Sequence, residues 1–244
     1  MFKRLELADQ SRVLVLTGAG VSAESGVPTF RDSNGLWENH DVTDVASPDG
    51  FARDPSLVWR FYSQRRDSAA KVKPNPGHEA LAALEQRLGS RFLLATQNVD
   101  GLHARAGSRR MIAIHGELFE TRCVQCATPF ADEKTYLAEP LPTCGACGQA
   151  LRPNIVWFGE MLDPAHLRQV SRFIEEAGRH LVFLAVGTSG QVYPAAGFVD
   201  AARAVGGTTW LIDAAPAAGF ADRFDEVIAG KSGEVLPELF RLRQ

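Results

Sequence analysis

The chain reads as an α/β protein built on a doubly wound parallel sheet, and three observations predict it. Short aliphatic runs recur without polar alternation, helical apolar spacing separates them, and a glycine-rich turn follows the first run. Consecutive apolar positions suit strands covered on both faces by helices, and alternation of strand with helix marks a doubly wound sheet.

The strand-like runs are RVLVLT from Arg12, RFLLAT from Arg91, MIAIH from Met111, LVFLAV from Leu181 and TTWLID from Thr208. Between them Ala80, Leu81, Leu84 and Leu88 repeat at three- and four-residue spacing, as do Leu167, Val170 and Ile174, while Leu236, Leu239 and Phe240 close the chain. Two stretches break the alternation. Residues 29–75 carry turn signals and a helix but no convincing core strand, and residues 120–153 hold the cysteines with Pro129, Pro140 and Pro142. We expect residues 1–28, 76–119 and 154–244 to form a Rossmann-like, NAD-binding domain. Residues 29–75 and 120–153 are expected to form a smaller domain, a helical module plus a cysteine ribbon, packed together or beside the sheet.

The bulk properties suit a globular enzyme: 244 residues, 45% hydrophobic and 23% charged, with a formal net charge of −3. A chain of this length buries enough surface to need no disulfide staples. Nothing basic points to nucleic acid. The N-terminal MFKRLELADQ lacks the apolar run of a signal peptide, and no stretch approaches the roughly 18 apolar residues of a membrane span. The expectation is a cytoplasmic protein with no membrane or nucleic-acid partner, whose cysteines are reduced thiols or metal ligands.

Gly18, Gly20 and Ala23 follow the first strand in the pattern G-x-G-x-x-G/A. Such glycines let the backbone approach a pyrophosphate at a helix N-terminus, although a tight α/β turn alone can produce the same letters. A dehydrogenase shows a second strand ending in an acidic ribose reader about 20 residues later. This chain instead has PTFRDSNGLWENHDVTDV there, with acids but no strand to carry them.

All four cysteines fall into two C-x-x-C pairs, Cys123 with Cys126 and Cys144 with Cys147. Two such knuckles bring four thiolates onto one tetrahedral Zn²⁺ and leave no position for water, so the predicted site is structural. Disulfide pairs or a redox motif are the competing readings, and both need an oxidising or thioredoxin-like context.

Long motifs then carry a resemblance. GAGVSAESGVPTFRD (Gly18 to Asp32), TQNVDGLH (Thr96 to His103), IHG around His115, the two cysteine pairs, VWFGE (Val156 to Glu160) and GTS (Gly187 to Ser189) occur in the order of the Sir2, or sirtuin, family. The sequence most resembles the bacterial and mitochondrial deacylases that remove malonyl and succinyl groups. The resemblance implies NAD as a consumed co-substrate. The amide oxygen of an acyl-lysine attacks the ribose carbon that bears nicotinamide, nicotinamide leaves, and the acyl group ends on ADP-ribose. The implied partners are acyl-lysine proteins or peptides, the implied state a monomer.

The same resemblance assigns roles to residues. Gly18, Ala19 and Gly20 would cradle the pyrophosphate, with Ala23 of the same fingerprint also cofactor-binding; Phe30, Arg31 and Asp32 would lie over the nicotinamide half, and Trp37 would also bind the cofactor. Gln97, Asn98, Val99 and Asp100 would line the crevice at the end of the RFLLAT strand, with Asn98 near the reacting ribose and Asp100 on the nicotinamide carboxamide; capping of the next helix is the plainer role for Asp100. His115 would activate a ribose hydroxyl, as a histidine titrating near neutrality can. The other histidines keep structural readings, His78 making a local hydrogen bond near a helix start. Gly187, Thr188 and Ser189 would form a ribose-side turn, and Ala214, Ala215 and Lys231 would lie on the adenosine side. Where the family often has Asn after the TTWLI strand, this chain has Asp213, which accepts from ribose hydroxyls and would repel a 2′-phosphate.

Tyr62 and Arg65 stand three residues apart on a predicted helix, so both can reach one side. A guanidinium fork and a phenol hydroxyl can together bind a carboxylate. The pair resembles the acyl-carboxylate reader of the malonyl- and succinyl-removing sirtuins; an amphipathic helix with solvated arginines is the alternative. Val156, Trp157, Phe158 and Gly159 form an extended stretch suited to main-chain pairing with a substrate peptide. Competing functions are a plain deacetylase, a mono-ADP-ribosyltransferase, and a non-catalytic NAD or zinc-ribbon interaction module.

Overall fold

Arg12–Thr17 forms the first strand, β1, and every residue after Arg12 in it is buried. The structure, a computed structural model, describes residues 4–28 and 40–240 and the backbone of residues 36–37. After β1 comes a single helical turn, α1 (Gly20–Ala23), then a two-residue hairpin, β2 (Leu36–Trp37) with β3 (His40–Asp41). Three helices follow: α2 (Val42–Val45), α3 (Pro48–Arg53) and the long α4 (Pro55–Lys71). The chain continues through α5 (Pro76–Leu88), β4 (Phe92–Thr96), α6 (Leu102–Ala106) and β5 (Met111–Ala113). An antiparallel trio, β6 (Gly116–Cys123), β7 (Pro129–Ala131) and β8 (Leu151–Ile155), precedes α7 (Pro164–Ala177). The last third is β9 (Leu181–Val186), α8 (Phe198–Ala204), β10 (Thr208–Asp213), α9 (Ala218–Ala221), β11 (Glu226–Ala229) and α10 (Ser232–Leu239).

The helix ends are written locally. Asp54 caps α4 by accepting from Leu57 N–H, with Pro55 in the first turn. Asn75 and His78 make a reciprocal capping box on α5, with Pro76 in its first turn. Asp163 and Pro164 repeat the pattern on α7, and Gly178 ends it. Short polar acceptors followed by proline satisfy the orphan N–H groups of a helix start.

The main sheet has the order β11-β10-β9-β1-β4-β5, with every pairing parallel. The doubly wound expectation is borne out, and the short β11 completes it. Alternate residues of the strands feed two cores. Leu14, Leu16, Phe183, Ala185 and Leu211 pack on α7 and α8 through Phe173, Ile174, Phe198 and Val199. Val13, Val15, Leu94, Leu184 and Ile212 pack on α5 and α10 through Leu81, Leu84, Leu236 and Leu239. Burying each such side chain contributes roughly 1.5–3 kcal/mol.

A third cluster joins α2–α4 to the antiparallel trio: Val45, Phe51, Trp59, Phe61 and Tyr62 pack with Leu118, Cys123, Leu151, Ile155 and Trp157. Arg66, 1% exposed, pins α4 across this junction. Its guanidinium donates to the carbonyls of Leu118, Glu120 and Lys134 and meets Asp132 at 3.3 Å. Among the described residues no helix is long and apolar enough to cross a membrane.

Successive connections leave β1 toward β4 on one side and return to β9 on the other. In open α/β sheets the crevice outside the strand carboxyl ends at such a reversal is where ligands bind.

Candidate active site

A cavity of about 1270 Å³ occupies that crevice. Its sheet wall is made of the residues directly after four strands: Gly18–Gly20 after β1, Gln97–Asp100 after β4, Gly187–Ser189 after β9, and Asp213–Ala215 at the end of β10. Ala23 and Lys231 complete that wall. Tyr62 and Arg65 of α4, His115, and Val156–Gly159 line the opposite side. Every sequence-predicted ligand residue among the described ones therefore faces one space, apart from the four cysteines. Phe30, Arg31, Asp32 and the Trp37 side chain lie outside the described residues. Ligand pockets of about 300–1,000 Å³ hold a drug-sized molecule; this one has room for a dinucleotide and an entering side chain.

The glycines have a reason that the sequence motif did not contain. A Cβ on Gly18 would lie 2.7 Å from the Gly187 carbonyl oxygen, and one on Gly20 would lie 2.7 Å from the Gly187 Cα. Gly187 has φ +61°, its own Cβ would stand 2.4 Å from Val21 N, and its carbonyl accepts from Gly20 N–H at 2.9 Å. Two strand-end loops thus lie backbone against backbone, leaving a floor of main chain with no side chains in the way. The expected helix beyond the turn is only the one turn of α1, so the help of a helix dipole to a pyrophosphate is correspondingly small. Main-chain contact, not a long helix, shapes this floor.

Ser22 is the residue that sequence reasoning missed. Fully buried, its hydroxyl donates to Asp100 Oδ2 at 2.6 Å and accepts from Asn98 Nδ2 at 3.2 Å. Asn98 Nδ2 also donates to the Gly18 carbonyl at 3.0 Å, which leaves the amide oxygen as its accepting end. Asp100 Oδ1 accepts from Leu102 N–H at 2.9 Å, so the expected helix-start contact and the site contact coexist on one carboxylate. A small serine within a helical stretch carries no periodic signal, which is why it was not legible.

Below this layer two histidine rings meet at a tilt of 58°, with ring centroids 4.7 Å apart. His103 meets Thr17 Oγ1 at 2.9 Å, and His78 lies 3.4 Å from Ser22 Oγ while also capping α5. Burial pushes the His78 imidazole down to about 4, against the pull of Asp100 and Glu24. Burial also lowers His103 well below the ordinary value, and His78 adds to the shift. Both are neutral supports of the floor.

His115 sits in the tight turn between β5 and β6. Its Nδ1 meets the Gln97 carbonyl at 3.1 Å. A carbonyl can only accept, so Nδ1 carries the proton and Nε2 keeps its lone pair. Burial lowers its pKa, and the Gln97 bond only partly offsets this. His115 is thus neutral at physiological pH. Gln97 is held by donation of Nε2 to Thr188 Oγ1 at 3.0 Å. Asp213 is buried and accepts from Ala215 N–H at 2.8 Å, ordering its own turn beside the cavity.

Opposite, Tyr62 is fully buried and Arg65 half-buried, one helical turn apart as expected. Phe158 is 51% exposed at the rim. The backbone of that stretch is more occupied than expected. Val156 N–H donates to the His115 carbonyl at 2.8 Å, Trp157 N–H to Glu160 at 2.8 Å and Phe158 N–H to the Ala46 carbonyl at 3.0 Å. Main-chain pairing with a peptide along Val156–Phe158 therefore cannot use these three N–H groups, and the Trp157 carbonyl already accepts from Glu160 N–H at 3.0 Å.

The sequence profile of the Sir2 family matches residues 18–194. The chain belongs to the Sir2 family. A protein of Caulobacter vibrioides named NAD-dependent protein deacylase is 48% identical over 231 residues, covering 93% of this chain and 94% of that one. One of the same name from Salmonella typhimurium is 46% identical over 235 residues, covering 96% and 84%. Among solved structures, a Sir2 homologue in complex with NAD superposes with a TM-score of 0.85 at 43% identity, covering 96% of this chain and 90% of that one.

In this Sir2 chain the four cysteine sulfurs all lie within 4.8 Å of one another, with Cys147 Sγ 3.5 Å from Cys123 and 3.4 Å from Cys126. Four thiolates on one zinc at a Zn–S distance of about 2.3 Å stand about 3.8 Å apart. The donor set fits a zinc ion with no open position. Cys123 is 3% exposed and, with Cys144 against it, is part of the cluster that packs α4 on the antiparallel trio. The Sir2 motifs on the sheet side fit a dinucleotide as well, since the side-chain-free loop contact and the fixed acceptors are both in place.

Proposed function

We propose that this chain is an NAD-dependent protein-lysine deacylase that favours acyl groups ending in a carboxylate, succinyl and malonyl ahead of acetyl. The reaction takes acyl-lysine, NAD and water to free lysine, nicotinamide and O-acyl-ADP-ribose. NAD supplies an electrophilic ribose carbon and, in nicotinamide, a neutral leaving group. The chain's own residues position and deprotonate. Ser22 fixes the Asn98 amide and the Asp100 carboxylate toward the nicotinamide half. His115, its Nδ1 tied to Gln97, takes the proton of a ribose hydroxyl at Nε2. The Gly18–Gly20 and Gly187–Ser189 loops take the diphosphate and ribose, and one structural Zn²⁺ on the four cysteines holds the module that carries the acyl side.

One observation carries the acyl preference: Tyr62 and Arg65 line the same cavity as His115 and Asn98. A lysine chain reaching His115 brings its acyl end toward them, and guanidinium with phenol is a donor set for a carboxylate. The deacylase names of the relatives support the reaction class. The test is nicotinamide release from NAD with matched acetyl-, malonyl- and succinyl-lysine peptides, compared as kcat/KM. Higher values for the acidic acyl groups support the proposal. Higher values for acetyl reject the preference, and no release with any peptide rejects the deacylase itself.

A further inference from the structure

The starts of α4, α5 and α7 are capped by the Asp or Asn that precedes them, but α10 has no cap of its own. The Lys231 side chain at its N-cap position makes no capping bond. The acceptor comes from the other end of the chain. Glu24, the C-cap residue of α1, accepts the Gly233 N–H at 2.8 Å and the Ser232 hydroxyl at 3.1 Å, both on Oε2. Gly233 leaves room for this approach, since a Cβ there would stand 3.0 Å from Glu24 Oε1. The same turn is also held by Asn75, whose Nδ2 donates to the Val21 carbonyl at 2.7 Å and to Ser25 Oγ at 3.0 Å.

We infer that Glu24 is a positioning residue for the dinucleotide, tying the turn that carries Gly18–Gly20 to the start of α10. This rests on the proposed binding of NAD in the cavity. The bond joins two segments that face that one space, Gly18–Gly20 with Ala23 and Glu24 in the first and Gly230–Ser232 in the second. In the proposed pose the diphosphate lies over the first and the adenosine beside the second, so their spacing sets how well both ends fit at once. A carboxylate also suits the positive end of a helix. A rival role exists for the same group, because the Glu24 charge opposes the lowering of the His78 pKa by burial. The two roles need different things. Capping needs one acceptor oxygen within reach, since both bonds end on Oε2. The effect on His78 needs the negative charge.

The experiment compares wild type, Glu24→Ala, Glu24→Gln and Glu24→Asp, with melting temperature as a check on folding. Calorimetry gives Kd for NAD and for ADP-ribose, which lacks the nicotinamide. Nicotinamide release gives kcat and the KM values for NAD and a succinyl-lysine peptide. Glu24→Ala removes the tie and should raise Kd for NAD and ADP-ribose alike, by about two- to tenfold, with the peptide KM unchanged. Glu24→Gln keeps an acceptor at the same reach and should restore both Kd values toward wild type. Glu24→Asp keeps the charge on a shorter arm and should weaken binding as Glu24→Ala does; it also stands in if Glu24→Ala does not fold. An unchanged Kd in Glu24→Ala overturns the inference. Binding that follows charge, with Glu24→Asp tight and Glu24→Gln weak, overturns it in favour of the role on His78. A loss on NAD with none on ADP-ribose also overturns it, by placing Glu24 with the nicotinamide half. A fall in kcat together with a raised peptide KM would show general loosening of the fold and overturn it as well. If wild type binds neither ligand, the NAD reading itself fails and takes this inference with it.

Discussion

The two walls of the cavity are held by different means. On the sheet side, strand-end loops meet through backbone contacts, with Gly18 and Gly20 against Gly187 and neutral histidines beneath. On the opposite side, the lining comes from side chains packed in a small aromatic cluster, Tyr62 bonded to the Trp157 indole and Trp157 under Arg152, with Cys123 in the same cluster. Backbone-built walls admit few substitutions, because a single Cβ collides with the chain opposite. Side-chain-built walls can change a polar atom while keeping their shape. If the proposed roles hold, the NAD chemistry and the acyl preference are separable by mutation.

The largest effect is expected from the cysteines. Cys144→Ser should abolish binding of one zinc per chain and destabilise the small module strongly, because structural zinc contributes folding energy outright. NAD binding, measured by calorimetry, should weaken less than turnover of acyl peptide. Equal loss of both would mean that the two walls are one cooperative unit.

His115→Asn should lower kcat/KM by about 10²- to 10⁴-fold, the range of general-base catalysis, on succinyl and acetyl peptides alike. Because burial lowers its pKa, the wild-type acid limb of kcat/KM should lie below the ordinary value of 6.5. A limb above 6.5 would point to a different base.

Gly187→Ala is next. A non-glycine residue at φ +61° costs about 1–3 kcal/mol before the contact with Val21 N is counted. The melting temperature should fall and KM for NAD should rise, with the succinyl-to-acetyl ratio unchanged. A shifted ratio would show that the sheet wall also reads the acyl group.

The smallest effect is a pH dependence of stability. His78 and His103 are neutral in the fold, with pKa values depressed by burial, while the unfolded chain takes up their protons near 6.5. Their contribution is therefore complete above 6.5 and is lost as the pH falls, down to about 4 for His78. Each histidine can cost up to about 1.4 kcal/mol per pH unit in that window. The urea midpoint should decline between pH 6.5 and 5, above the range in which carboxylates protonate. A flat midpoint there would remove the buried-neutral assignment.

Much of this was legible in the sequence. Unbroken aliphatic runs such as LVFLAV mark strands buried on both faces, and all four cysteines sit where one ion can reach them. The motifs that hold Gln97, Asn98, Asp100 and His115 line one crevice. What escaped depends on segments far apart in the chain. Gly18 and Gly20 owe their lack of a side chain to Gly187, whose approach no local pattern encodes. Ser22 matters only because Asn98 and Asp100 arrive beside it. Trp157 looked like part of an extended run, and its inward turn follows from Glu160 and Arg152 closing around it. Arg66 differs from Arg65 only by one position on α4, yet it is buried among the carbonyls of β6.

The most direct test of the separation is Arg65→Met, with nicotinamide release measured on succinyl- and acetyl-lysine peptides of one sequence. The predicted result is a fall of roughly 10- to 150-fold in kcat/KM for the succinyl peptide, as expected for losing a charged hydrogen-bond partner, with a much smaller change for acetyl. An equal fall on both peptides would contradict the account and return Arg65 to the structure of its helix.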